Sequence, residues 1–214
     1  MNINFEPVMQ ALFAHLQGAA TLTFSANATP GSEVLTAPSG IEGLFPGLPV
    51  FATGSADGAL ITAIADDGST ITLSEPMTAD TETGPTQFTT GFLTASRRVQ
   101  HWTQVADQPA LFLRRIGVTD EGNHDSGFII TTLDCEAWIY CNAGQDPNIA
   151  PDSVLTGLEQ MIRASFAPDG DYGDPLFTLG GLVYWARIEG RSDISPGDQG
   201  SQAIARIPIR VTLP

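Results

Sequence analysis

The three histidines are the first residues to consider for metal binding or acid–base chemistry. They are His15, His101 and His124, and none has a second histidine or a cysteine at the spacing of a metal site. His15 falls on a predicted helix, where a packed histidine is the favoured interpretation, and His124 shares a polar loop with Glu121 and Asp125. The sequence also lacks a Gly-x-Ser-x-Gly elbow, a Walker A loop and a dinucleotide-binding glycine pattern. We therefore predict that the chain is not an enzyme and uses no cofactor.

The best candidate for a metal site is an acidic segment that follows the second predicted helix. Asp169, Asp171 and Asp174 place three carboxylates within six residues, and carboxylate oxygens suit Ca²⁺. The segment lacks the closing glutamate and the register of an EF-hand loop, and an acidic turn produces the same pattern. We favour the turn, so the sequence predicts no metal site.

The two cysteines, Cys135 and Cys141, lie on the same face of one predicted strand. Six residues of strand span roughly 20 Å, which is far too long for a disulfide. We expect both to be buried free thiols, as is typical of a reducing compartment.

The charge balance is strongly acidic: nine arginines, no lysine and 24 carboxylates give a formal net charge of −15. Such a chain repels phosphates, so specific binding to DNA, RNA or an anionic membrane is not expected. Two explanations of the charge stay open, namely solubility and an acidic lining along which DNA slides without sticking. No window resembles a signal peptide or a membrane-spanning helix, which predicts a protein made and assembled in the cytoplasm.

Arginine and aromatic side chains are the candidates for contacts with other proteins. Arg97, Arg98, His101 and Trp102 form the densest such cluster, and nothing else basic supports a nucleic-acid site there. Arg and Trp are enriched in well-buried interfaces, so a partner contact is one interpretation and a set of surface arginines is the other. We expect Arg97 or Arg98 to pair with acidic groups of a neighbouring copy. The full set of interface candidates is Arg97, Arg98, His101, Trp102, Arg114, Arg115, Trp138 and Tyr140.

These candidates must be positioned by helices and strands, and the apolar pattern predicts two helices. The first begins after a cap at Asn4 and ends at Gly18, and its apolar stripe is Phe5, Val8, Met9, Leu12, Phe13 and Leu16. The second follows a cap at Asp152 or Ser153, and Pro168 stops it. Its apolar stripe is Val154 or Leu155, Leu158, Met161, Ile162 and Phe166.

Strands fill most of the rest of the chain. Between residues 19 and 92, which contain no Arg or Lys, short runs of β-formers alternate with turns, and Asp66-Asp67-Gly68 indicates a hairpin. Further strands are predicted over 109–116, 133–142, 182–188 and 203–213, with a polar loop from Thr119 to Ser126. Trp138 and Tyr140 fall on the strand face opposite to the cysteines, which a monomer leaves uncovered unless a helix or a neighbour lies there. Pro208 lacks an N–H, which predicts an edge position or a bulge.

The order of these elements predicts an α+β fold in which a mixed or antiparallel sheet packs with two helices. Residues 1–18 and 93–214 form this domain, and residues 19–92 form an inserted small all-β module. Because both flanks of the insertion contribute to one core, its two ends should lie close together.

Several short motifs in the α+β part resemble the pattern of tail terminator and tail completion proteins of siphophages. They occur in the order and at the spacing of that family. They are Ser96-Arg97-Arg98-Val99-Gln100-His101-Trp102, Val105, Gln108-Pro109-Ala110-Leu111-Phe112, Leu179-Gly180-Gly181-Leu182-Val183, Ile188, Gly190, Gly197-Asp198-Gln199 and Ile207-Pro208-Ile209-Arg210-Val211.

The resemblance implies a structural virion protein that forms a hexameric ring at the head–tail interface. Such a ring stops polymerisation of the tail tube and offers a surface to the head–tail connector protein. Its implied partners are its own copies, the tail tube protein and the connector. Genomic DNA would pass through an acidic lumen without specific binding, and no membrane is involved.

The insertion departs from the family pattern, in which the first helix leads directly to the Ser-Arg-Arg region. The stretches 40–54, 61–64 and 70–74 resemble a small β-module of phage tail and surface proteins, and we expect it outside the lumen. Two alternatives remain: a tail tube subunit or head–tail adaptor, and a glycan-binding or decoration module built on residues 19–92. The aromatic residues available to the second alternative are Phe24, Phe45, Phe51 and Phe88.

Overall fold

The computed structural model describes residues 4–52, 58–78, 83–123, 128–142, 151–168, 176–195 and 202–213. Within them the chain forms two α-helices, a closed six-stranded barrel and a second, six-stranded sheet. The predicted α+β class is therefore confirmed. The elements are α1 (Glu6–Ala19), β1 (Thr23–Ala28), β2 (Val34–Ser39), β3 (Pro49–Phe51), β4 (Ala59–Ile64), β5 (Thr70–Leu73), β6 (Gly84–Thr90), β7 (Thr94–Ser96), a short 3-10 helix (Trp102–Gln104), β8 (Ala110–Asn123), β9 (Phe128–Asn142), α2 (Pro151–Ser165), β10 (Trp185–Ile188), β11 (Asp193–Ser195) and β12 (Gln202–Thr212).

The barrel consists of β1 to β6 in the order β1-β2-β5-β4-β3-β6, and pairing between β1 and β6 closes it. Phe24 and Phe88, which are opposite each other on these two strands, stack inside it with ring centroids 5.1 Å apart. The predicted hairpin turn joins β4 and β5. Gly68 takes a positive φ of 68°, and the Asp67 side chain accepts a 2.9 Å hydrogen bond from the N–H of Ser69.

The second sheet has the order β10-β12-β9-β8-β7, with β11 also paired to β12. All pairs are antiparallel except β7 with β8. The prediction of a polar loop from Thr119 to Ser126 is wrong for its first part, because β8 continues to Asn123 in register with β9. The backbone of these polar residues finds its hydrogen-bond partners in that ladder, so polarity alone does not end the strand.

Pro208 lies within β12 without a bulge, and its nitrogen faces a local edge of the sheet, which is one of the two positions predicted. It is opposite Glu136 in a ladder between β12 and β9 that has no shift in register. Its carbonyl accepts a hydrogen bond from Glu189, so its nitrogen faces the same side as β10 and β11. Pairing lapses there, because β10 stops at Ile209 and β11 begins at Arg206. The missing N–H therefore costs no ladder bond.

The helices pack on one face of this sheet. The predicted stripe of α1 is buried at Val8, Met9, Leu12 and Leu16, although the helix passes Gly18 and ends at Ala19. On α2 the buried apolar residues are Val154, Leu155, Leu158 and Ile162. No helix among the described residues is long and apolar enough to cross a membrane.

The barrel joins the rest of the chain through a hydrogen-bonded junction and a shared core. Thr90, at the end of β6, donates its N–H to the Leu22 carbonyl (2.9 Å) and its hydroxyl to the Ala20 carbonyl (2.7 Å). The two ends of the inserted segment therefore lie together, as expected. The Phe45 ring packs against Gly157 of α2, and barrel and helix side chains belong to one continuous core.

Candidate interaction surface

The face of the second sheet that points away from the helices carries most of the paired arginines. On β9 this outer face presents Asp134, Glu136 and Trp138, and on β12 it presents Arg206 and Arg210. The alternation of buried and half-buried residues along β12 separates this face from the core face. The outer face is thus built from charged and aromatic side chains held at fixed positions on long strands.

Glu136 is the centre of this face and is 8% exposed. One of its oxygens, Oε2, accepts hydrogen bonds of 3.0 Å from Arg114 Nε and from Trp138 Nε1. Its other oxygen lies 3.5 Å from Arg206 Nη1. One carboxylate therefore fixes two guanidinium groups and an indole.

Trp138 lies between these two arginines. The guanidinium carbons of Arg114 and Arg206 are 5.2 Å and 5.9 Å from its ring centroid, which is the geometry of a cation–π contact. Arg206 also pairs with Asp193 of β11, and the pKa of that carboxyl is lowered chiefly by this hydrogen bond. The indole is half-buried by the chain's own charges and stays on the surface.

A second group of charges continues the outer face towards β10. Arg210 Nε donates a 3.0 Å hydrogen bond to Asp134, and Arg210 also pairs with Glu189. Arg187 donates to Glu189 at 2.7 Å and covers the Trp185 ring at 4.2 Å. The positive and negative charges on this face therefore balance, and the surface is polar without a large net charge.

Tyr140 corrects the expectation that its strand face is uncovered. It is 3% exposed, because the segment before β8 folds over it, and its hydroxyl donates a 2.8 Å hydrogen bond to the Gln100 carbonyl. Val105, Ala110 and Phe112 complete this small cluster. Burial raises the pKa of Tyr140. The residue anchors the overlying segment through its hydroxyl.

The segment that covers Tyr140, residues 99–108, places His101 and Trp102 at the surface. Trp102 is 41% exposed, and the His101 ring lies 5.5 Å from it, centroid to centroid. His101 Nδ1 and Thr103 Oγ1 are 2.8 Å apart, which holds the imidazole at the start of the short 3-10 helix. These two rings are available to a partner, unlike Tyr140.

Arg97 has a carboxylate partner inside its own chain, and a pairing of Arg97 or Arg98 with a neighbouring copy stays a prediction. It pairs with Glu6 at the start of α1, and its Nη2 donates to Oε2 at 2.9 Å. The same bonds lower the pKa of Glu6 to about 2. Arg98 is exposed, and Arg115 lies over the Phe5 ring at 5.3 Å.

A cleft of about 520 Å³ opens between the start of α1 and β8, and we call it the arginine cleft. Three of the predicted interface residues meet there although they are up to 18 positions apart in sequence. The side chains that line it are Asn4, Phe5, Glu6, Met9, Arg97, Leu113, Arg114 and Arg115.

The cysteines are confirmed as buried free thiols. Burial raises the pKa of Cys135 to about 12 and also raises the pKa of Cys141, so neither is a nucleophile near neutral pH. Within the described ranges no group of three or more His, Cys, Asp or Glu side chains forms a metal site. Asp169, Asp171 and Asp174, like His124, lie outside the described residues.

Two of the four phenylalanines considered for glycan stacking are in the barrel core. Phe24 and Phe88 are 1% and 0% exposed, so they offer no ring to a sugar. Phe45 packs on α2 at Gly157, and Phe51 is half-buried. The barrel thus uses its aromatic residues for its own packing.

Comparison with known proteins gives no family. No protein-family model matches the chain, and no curated protein matches it. The surface must therefore be interpreted from its own geometry. Sequence reasoning missed Glu136 as its centre, although the alternation along β9 already placed Glu136 on the same face as Trp138.

Proposed function

We propose that the chain is a structural subunit of a siphophage tail, namely the tail terminator. Six copies form a ring that caps the tail tube and joins it to the head connector, and genomic DNA passes through an acidic lumen. The observation that carries the proposal is the outer face of the second sheet. It is a fixed array of Arg, Trp and carboxylate side chains on long strands, which suits contact with other proteins.

The charges of this face suit an assembly protein better than a catalyst. Each guanidinium on it already has a carboxylate partner, so the side chains are held in place before a partner arrives. Preorganised side chains lose little conformational entropy when an interface forms. Exposed Trp102, beside the same sheet, adds an aromatic anchor of the kind that dominates interface energies.

The overall charge fits the passage of DNA. With a formal net charge of −15, the chain repels the duplex, so DNA moves through the ring without being held. The barrel would then project outside the lumen, where it does not obstruct the channel.

The decisive experiment is to locate and count the protein in virions. We expect electron microscopy with a label on the chain to mark the head–tail joint, and quantitative mass spectrometry to give about six copies per particle, the number of the proposed hexameric ring. Inactivation of its gene should yield tails that do not join heads. A label along the tube or at the tail tip, or a copy number close to that of the major tube protein, would contradict the proposal.

A further inference from the structure

The two ends of α1 adjoin parts of the chain with opposite charge: an acidic segment follows its end, and arginines lie at its start. Residues 19–92, which begin at its last residue, contain eight carboxylates and no Arg or Lys, a formal net charge of −8. The arginine cleft lies at its first residues, where Asn4, Phe5 and Glu6 line it. A helix of 14 residues is about 20 Å long. The helix thus keeps the acidic barrel and the arginine cleft of one copy apart.

Three arginines line the cleft, and among the described residues Arg115 is the one without a carboxylate that forms an ion pair with it. Arg97 is paired with Glu6, and Arg114 with Glu136. Arg115 instead lies over the Phe5 ring and is exposed. The cleft therefore has room and positive charge for a carboxylate that the described part of its own copy does not supply.

The end of the barrel farthest from its junction offers such carboxylates. Thr90 marks the junction end, so the pairing of β1 with β6 places Ala28 and Gly84 at the far end. Glu33 lies at this end, since its carbonyl accepts a hydrogen bond from Leu73, the last residue of β5. Glu75 follows two residues later, and both glutamates are exposed.

We propose that the arginine cleft of one copy binds the far end of the barrel of a second copy, with Arg115 facing Glu33 and Glu75. This inference rests on the proposed ring and names the contact between neighbours in it. The two surfaces differ, so the contact is heterologous, and repetition of one heterologous contact closes a ring when the rotation allows. The attraction between Arg115 and the two glutamates is local and weakens as salt rises.

The test is a charge exchange, read by sedimentation velocity of the purified chain at low and high salt. Arg115→Glu alone and Glu33→Arg/Glu75→Arg together should each weaken self-association about ten-fold or more. Their combination restores opposite charges and should regain most of the loss. Arg191→Glu alone and Glu42→Arg/Asp66→Arg together make the same charge changes at exposed positions outside the contact and should leave association unchanged.

Two results overturn the contact: a wild-type chain that remains monomeric at high concentration at every salt concentration, or a combined variant no better than its parents. Circular dichroism of each variant shows that it is folded. These outcomes are distinct from failure of the proposed function, which depends on where the protein lies in the virion. If the protein were found at the tail tip, the proposed function would fail, but the charge exchange would still show whether the contact between copies exists.

Discussion

At the scale of single residues, Glu136 holds the outer face together. Replacing it by Ala leaves Arg114 and Arg206 without this carboxylate and the Trp138 N–H without an acceptor. The arginine side chains are 46% and 40% exposed, so water compensates part of the loss. We expect Glu136→Ala to lower the free energy of unfolding by about 1–3 kcal/mol, measured by urea denaturation.

Glu42→Ala is the matched control for this change, because Glu42 is an exposed loop carboxylate. Its effect should stay within about 0.5 kcal/mol. Glu136→Gln should lie between the two, since the amide oxygen still accepts from Trp138. Equal losses for Glu136→Ala and Glu42→Ala would show that the network adds nothing to stability.

Residue types predicted burial better than they predicted partners. The alternation along β9 correctly indicated that Cys135 and Cys141 are buried together. It placed Tyr140 on the other face but could not show that residues 99–108 fold over it. The pair Arg97–Glu6 joins residues 91 positions apart, and such a distance in sequence carries no local signal.

At the scale of elements, the contact between α2 and the barrel depends on a glycine. A Cβ atom added to Gly157 would lie 2.5 Å from Phe45 Cζ, so the ring must move. We expect Gly157→Ala to destabilise the protein by about 1–3 kcal/mol, despite the better helix propensity of alanine. Urea denaturation followed by circular dichroism measures the change.

The same substitution in α1 should have the opposite sign. Gly18 has no atom within 4 Å of an added Cβ, and its backbone is helical. Gly18→Ala should therefore stabilise the protein by about 0.5–1 kcal/mol. If both variants were stabilised alike, Phe45 would not be packed against α2.

Element types were predictable, whereas strand ends and pairing were not. Apolar periodicity indicated both helices and the closing strand, and turn chemistry indicated the β4–β5 hairpin. The register of β8 against β9 decides that Thr119–Asn123 is strand, and the gap between β10 and β11 decides that Pro208 is tolerated inside the sheet. Both depend on partners that are distant in sequence.

At the scale of the whole molecule, one core runs through the barrel, α2 and the second sheet. One buried cluster contains Leu48 and Val50, from the segment that forms the barrel, together with Val154 and Leu158 of α2. An autonomous module would instead bury its apolar residues within itself, and its unfolding could precede that of the remaining chain. The shared core predicts a single cooperative transition.

The three tryptophans allow this prediction to be tested, because all of them, Trp102, Trp138 and Trp185, lie outside residues 19–92. Their fluorescence reports on the second sheet and the segment that covers it, whereas far-ultraviolet circular dichroism reports on both sheets. We expect the two signals to share one urea midpoint and Gly157→Ala to shift both equally. A circular dichroism transition at lower urea, with unchanged fluorescence, would instead identify the barrel as an independent folding unit.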